Sequence, residues 1–515
     1  MRRTSGCHTS SRRVLVVVAT MMLAATPLMG QSSPAWPLPV VTPTSTPTPE
    51  PADVAPAPTP TAQPSAQPAP PEDGSSPSNS ESAGGQPPGA SNDQVPKKDQ
   101  VTNPGDVAFT DYAPFDLDEI EPEPIRSKWG KFVAGMRGLT RYSLFDGKVK
   151  FRLGGSFMVD ATAGNGDAAY EEAYGPIDSG LDFRFGVLYA VGRVKDFNVS
   201  VGLDFGADPG IDSAWIEGAK GGLEVWGHYL GKLRIGYVGE PFSLERQGGF
   251  YDTTFLERSL PVQAMAPGYN IGTKIHNSRR DGRLSWAAGL FSVGQNNEKN
   301  ASTSRLSLTG RVTFLPVYRD EGRKLIHVGL SASSRSPTGS DIHYRARPEA
   351  RFVDVLVDTG SFSASHQSLW GVEAATVNGP IWAAAEIIGS DTKAQAVGDP
   401  NFRGGYVQVG WFITGESRPY QTNGGLFGRV LPLTKYGGGN PFRKRNGGAW
   451  EVAGRISHLD LDDGMIEGGK LTDFSAALNW YVNATVRVKL NYIYARPTDR
   501  GSTNIILLRI QYNPW

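Results

Sequence analysis

From Lys148 to the end of the chain, hydrophobic and polar residues alternate with a period of two. "KVKFRLGGSFMVDA" sets Val149, Phe151, Leu153, Phe157 and Val159 against Lys148, Lys150, Arg152, Ser156 and Asp160. "LDFRFGVLYAV" and "FNVSVGLDF" repeat the pattern, as do "LSLTGRVTF", "LIHVGLSA", "WEVAGRIS", "VRVKLNYIY" and "IILLRIQY". Each segment is roughly ten residues long and bounded by turn residues, as expected of a tilted β-strand with one wet face. A half-buried strand in a soluble sandwich alternates in the same way. The pattern here, however, continues for about 370 residues without a helix, its apolar face is rich in aromatics, and the chain opens with an export signal. Together these features predict an all-β fold, a closed transmembrane antiparallel β-barrel. The segments number sixteen or seventeen, depending on whether "DSAWIEGAKGGLEVWGH" is one strand or two. A barrel of antiparallel hairpins with both ends on one side needs an even number, so the stretch is taken as one strand and the count as sixteen. That size leaves room for an aqueous channel.

The residues ahead of the barrel (148–515) follow other rules. Residues 1–30 join four arginines to an apolar run from Val14 to Met22, the form of a secretory signal. Residues 31–124 are a Pro/Ala/Ser/Thr-rich and acidic linker, with 19 of the 38 prolines between Gln31 and Pro104. Such a segment buries too little apolar surface to offset its ordering entropy, so it is expected to be a disordered arm in the periplasm. Within 125–147, Ile125, Trp129, Phe132, Val133, Met136, Leu139 and Tyr142 recur at helical spacing and predict a short amphipathic helix with a lead-in.

Composition adds two points. The single cysteine, Cys7, rules out a disulfide framework and a cysteine-based metal site. The neutral total of 51 basic and 51 acidic residues hides a split, with residues 31–147 carrying −8 and residues 148–515 carrying +4. If the apolar face meets lipid, Lys148, Lys150, Arg152, Arg184, Arg234, Lys274, Arg311, Arg455, Arg487, Lys489 and Arg509 point inward. Asp160, Asp182, Asp204, Glu373, Glu386 and Glu451 face them. The lumen is then mixed in sign with a basic excess, a setting that lowers the barrier for anions.

One connection breaks the alternation at length: "LRIGYVGEPFSLERQGGFYDTTFLERSLPVQAMAPGYNIG", residues 233–272. It resembles the signature region of the phosphate-selective porin O and P family through Gly236, Glu240-Pro241-Phe242, Phe255, Glu257-Arg258-Ser259-Leu260-Pro261 and Ala266-Pro267-Gly268. "WAAGLF", "GAWEVAGRISHLDLDDG" and "LNWYVNATVRVKLNYIYA" resemble later strands of that family. The resemblance implies a sixteen-stranded outer-membrane porin, usually a homotrimer, with a constriction loop (239–268) folded into the channel. It also implies passive diffusion of small anions, phosphate or polyphosphate among them. The candidate anion contacts are Arg152, Arg184, Arg234, Arg246, Arg258 and Lys274. Phe242, Phe250, Tyr251 and Phe255 are expected to pin the loop to the wall, Glu257 and Arg258 to pair, and Arg246 to stay available.

The expected partners are small phosphate-like anions, outer-membrane lipid, and the outer-membrane assembly machinery that reads a terminal aromatic such as Trp515. Cell-wall contact through the N-terminal arm is a further expectation, and no nucleic acid and no cofactor are expected. No catalytic motif is visible, and the seven histidines offer no metal pair at helical spacing. The alternative is a general or structural barrel that anchors the outer membrane to the cell wall or a partner through the Pro-rich arm.

Overall fold

Along Lys324–Arg335 the side chains are outside and inside by turns: Ile326, Val328 and Leu330 are exposed, and His327, Ser331, Ser333 and Arg335 are buried. Polar residues inside and aliphatic residues outside reverse the soluble pattern, and this is what lipid contact requires. The computed structural model describes residues 141–145, 148–206, 209–218, 222–225, 228–279, 281–293, 306–337, 341–434, 436 and 447–513. The expected signal, linker and most of the expected helix lie outside the described residues, as does Trp515.

The wall consists of sixteen strands. The first eight are β1 (Val149–Gly166), β2 (Gly180–Val194), β3 (Phe197–Asp204), β4 (Gly210–Gly218), β5 (His228–Gly239), β6 (Tyr269–Ser278), β7 (Leu284–Ser292) and β8 (Leu306–Arg319). The second eight are β9 (Lys324–Arg335), β10 (His366–Asn378), β11 (Ile381–Lys393), β12 (Asn401–Phe412), β13 (Ala449–Asp463), β14 (Ile466–Tyr481), β15 (Val486–Pro497) and β16 (Thr503–Tyr512). Each pairs antiparallel with its neighbour, and β16 pairs back onto β1 from Phe157↔Tyr512 to Gly166↔Thr503, which closes the sheet. Closure joins the first and last strands and leaves only the start of β1 beyond the reach of β16.

Two details refine the expected layout. Leu223–Val225 is a separate short strand that pairs with the start of β5, while β4 pairs with the next part of β5. The two pieces share one position in the wall, so the count stays at sixteen. Arg141 and Tyr142 fall at the end of the expected helix, but Arg141–Leu144 is a strand on the edge of β1. There Tyr142 stacks on Phe151 at 4.9 Å, and a ready edge plus an aromatic partner outweighs helical spacing.

Connections after odd-numbered strands lie at one end of the barrel and those after even-numbered strands at the other. Three long connections pack against inward-facing residues. Residues 240–268, after β5, and a hairpin of Asp341–Ala346 with Val357–Ser363, after β9, share one buried apolar cluster with Leu369, Ile388, Phe402, Leu459, Leu471 and Ile505. The connection after β12 brings Leu426, Phe427 and Val430 from the opposite end onto Leu325, Trp382 and Phe412. Between the two clusters runs a belt of buried polar and charged groups.

Glu451 of β13 ties that belt together. Its carboxylate accepts hydrogen bonds from Trp382 Nε1 (2.8 Å), Tyr481 Oη (2.7 Å), Asn479 Nδ2 (2.9 Å) and Thr254 Oγ1 (3.3 Å). Glu451→Ala strands several buried donors at once and is expected to lower stability by about 3 kcal/mol, read as an earlier urea midpoint for the detergent-solubilised barrel.

Candidate functional site

Residues 240–268 are held at their entry, middle and exit by the wall. At the entry, Glu240 is wholly buried and accepts from Asn270 Nδ2 (2.7 Å), Thr309 Oγ1 (2.5 Å) and Arg335 (2.8 Å). Ser243 adopts a positive φ of 66°, and its hydroxyl accepts from Arg246 N at 3.1 Å, which starts the helical turn Leu244–Gln247. The free amides of that turn, Leu244 N and Glu245 N, donate to Glu386 of β11 at 2.9 and 2.7 Å. A carboxylate is the strong partner for exposed amides at a helix start. The second turn, Leu260–Ala264, has Pro261 in its first positions, and Leu260 N donates to Ser457 Oγ of β13 at 2.9 Å. Pro261 comes so close to β12 that a Cβ at Gly404 would sit 2.9 Å from it, so the wall needs glycine there.

The middle stretch shows how the inward cations are used. Arg487 and Gln511 donate to Tyr251 O (2.7 and 2.9 Å), Arg418 to Asp252 O (2.8 Å), and Lys489 to Thr253 O (2.5 Å). Asn479 donates to Thr254 O (3.0 Å), Arg509 to Leu256 O (2.7 Å), and Arg455 to Glu257 O (3.0 Å). An irregular backbone thus presents a run of carbonyl oxygens to a basic wall, and both sides are satisfied.

Of the anion-contact candidates, Arg234 and Lys274 are wholly buried. Arg234 forks onto Glu217 (2.8 and 3.0 Å) above the Trp215 ring, and Lys274 donates to Gly239 O (3.1 Å). Arg152 is also buried, sharing a side-chain hydrogen bond with Tyr189. Arg246, expected to stay available, donates to Pro267 O at 3.2 Å. Glu257 does not pair with its neighbour Arg258. It takes a bidentate pair from Arg184 (2.8 and 3.1 Å) and a third bond from Arg509 (3.1 Å). Wall arginines from β2 and β16 thus take the place of the sequence neighbour at Glu257. The Arg258 guanidinium instead makes one long contact to Gly248 O (3.4 Å).

The aromatic candidates are all buried: Phe242 in the large cluster, Phe250 and Tyr251 against Met158 and Val187, and Phe255 beneath Arg455 at 4.1 Å. Three guanidinium groups surround the Phe250 ring, Arg184 at 4.8 Å, Arg509 at 5.2 Å and Arg258 at 5.4 Å from its centroid. The ring's negative face suits cations and keeps three of them in one place.

Two further groups of residues were not singled out from the sequence. Arg418, in the connection after β12, reaches Thr254 Oγ1 (3.0 Å) as well as Asp252 O, so segments entering from opposite ends touch. In the same connection Gly424 O and Gly425 O accept from Arg311 (3.0 and 2.7 Å). Glu349, in the hairpin connection, pairs with Arg455, which also binds Glu245 (3.0 Å). The length of these two connections was the available signal.

A closed sixteen-stranded barrel with a polar interior and an inserted loop is the architecture of a porin-type channel, not of an enzyme. The family model described as phosphate-selective porin O and P matches residues 157–513, and the chain belongs to that family. Porin O of Pseudomonas aeruginosa is 24% identical over 395 residues, covering 70% of this chain and 85% of that protein. A Caulobacter vibrioides protein is 30% identical over 267 residues, 49% of this chain, and the match spans about half (51%) of that relative's length. Among solved structures, an anion-selective porin from Comamonas acidovorans is 11% identical with a TM-score of 0.43, the match covering 71% of this chain and 99% of that one. A loop-deletion variant of the Vibrio cholerae outer membrane protein OmpT is 10% identical with a TM-score of 0.45, covering 72% and 100%. The chain is therefore an outer-membrane β-barrel of the porin O and P family.

Burial would raise the Glu257 carboxyl, but Arg184 and then Arg509 outweigh it and hold the group at about 2, against an ordinary 4.5. A depressed carboxylate contributes its stabilisation above the ordinary value and loses it as pH falls through the depressed one. The stability difference between wild type and Glu257→Gln is accordingly expected to be level above pH 4.5 and to shrink as pH falls toward about 2, measured by urea midpoints across that window.

Proposed function

We propose that the protein is a passive pore for small anions, phosphate-like oxyanions among them, in which residues 239–268 form the constriction. The observation that carries this reading is the group of three guanidiniums around Phe250. Arg184 and Arg509 are committed to Glu257, whereas Arg258 is only partly buried and keeps most of its donors uncommitted apart from the long contact to Gly248 O. Arg258 is thus the candidate first contact for a passing anion, with Arg184 beside it supplying field. Arg246, Arg152, Arg234 and Lys274 act mainly by holding the wall and loop and by adding positive potential. Homotrimeric assembly belongs to the same proposal, by analogy with the family.

The pairing of inward cations with carboxylates favours a second reading, a general pore with little charge preference. Arg234 with Glu217 and Arg311 with Glu373 cancel within the wall. The reversal potential in a salt gradient separates the two. A net anion preference supports the proposed pore, and a potential near zero or on the cation side supports the general one. Arg258→Ala is expected to lower the anion-to-cation permeability ratio roughly fivefold, the equivalent of ~1 kcal/mol for a charge acting through water at contact distance. The Pro-rich arm is proposed to tie the barrel to the cell wall. Deleting residues 31–104 is expected to leave conductance intact and release the protein from cell-wall fractions, checked by fractionation and planar-bilayer recording.

A further inference from the structure

Donors meet the buried carboxylates of the wall: Glu217 has Arg234 and His276, Glu373 has Arg311 and His327, and Glu451 has the donor set described above. Asp473 of β14 differs. It is wholly buried, and neither of its carboxylate oxygens has a hydrogen-bond partner. Its charged neighbours are Glu349 and Arg455. Glu349 leaves one oxygen without a partner as well, while the other is engaged by Arg455 and by Ser475 Oγ (2.7 Å).

The wall register brings these groups together. Arg455 lies opposite Ser475 and Ser457 opposite Asp473 on the paired strands β13 and β14, all facing inward. Arg455 already serves Glu245 and Glu349, so three carboxylates share one guanidinium. Protonation alone would not resolve this. A neutral carboxylic acid needs an acceptor for its O–H and a donor for its carbonyl; the free Glu349 oxygen could accept, but the Asp473 carbonyl would still lack a donor. A cation with its waters satisfies three unpartnered carboxylate oxygens together and offsets the excess negative charge.

We propose that Asp473 and Glu349 form a binding site for a hard divalent cation of the calcium class. The donors are all oxygen, carboxylates with the Ser457 and Ser475 hydroxyls alongside, which suits a hard cation and disfavours zinc or copper. No group of three acidic, His or Cys side chains able to hold a metal is present among the described residues, so waters complete the shell. One ligand comes from the wall and one from the connection after β9. A looser, higher-coordinate shell fits that arrangement better than the strict octahedron of magnesium. The bound ion would fasten the hairpin connection to β14.

The test uses the full chain folded in detergent micelles and stripped of metal by chelator, titrated with CaCl2 by calorimetry and by thermal unfolding. The expected result is one site with a dissociation constant of about 10⁻⁴–10⁻³ M and a calcium-dependent rise in the unfolding midpoint. Asp473→Asn is expected to weaken binding by about tenfold or more and abolish the rise, whereas Asp460→Asn, further along β13 and paired there with Lys470, is expected to leave both unchanged. Asp473→Leu, which removes the unpaired carboxylate, should fold at least as well without metal and show no calcium response. Absence of any calcium response in the wild type, or equal affinity in Asp473→Asn, would overturn the site.

Discussion

A wide barrel must satisfy every charge it turns inward, and this protein does so with carboxylates and, along one row, with main chain. The row Arg455, Arg487, Lys489 and Arg509 would repel itself across a bare lumen, and each group would face others of like sign. Laying the carbonyls of residues 251–257 along that row gives each cation an acceptor, and it gives an irregular segment the hydrogen bonds that no sheet supplies. Wall and loop therefore depend on each other. The basic strands hold the loop, and the loop makes the basic strands tolerable.

The same economy explains why so few of the inward cations face a solute. A guanidinium that forks onto a carboxylate, as Arg234 does onto Glu217, is fixed in place and electrically cancelled at short range. What distinguishes Arg258 is its sparse hydrogen bonding, a single long contact to Gly248 O where the chain crosses the interior.

Much of the fold could be read from the alternation. The lipid face of β16, Ile506, Leu508, Ile510 and Tyr512, stands in the register that the period-two pattern predicts, and the one doubtful stretch before β5 proves to be two pieces in one wall position. The site was less legible, because its pairings are set by barrel closure. Glu257 sits beside Arg258 in sequence, yet its partners Arg184 and Arg509 are 73 and 252 residues away. The connection after β12 has no apolar period of either kind, so apart from its length nothing in it announced that Leu426, Phe427 and Val430 would enter the interior.

The distance between the loop and its partners has a consequence for assembly. Thr253 O waits for Lys489, 236 residues later, and Leu256 O for Arg509, 253 residues later. Arg509 also binds Asp160 across the β1–β16 junction. Contacts of such sequence separation form last, because the whole intervening chain must be ordered first. Residues 250–257 therefore cannot settle until the final strand has arrived, and the step that closes the cylinder is also the step that furnishes its interior. A chain lacking β16 would expose an open edge and leave the middle of the loop without Arg509 and Gln511 together.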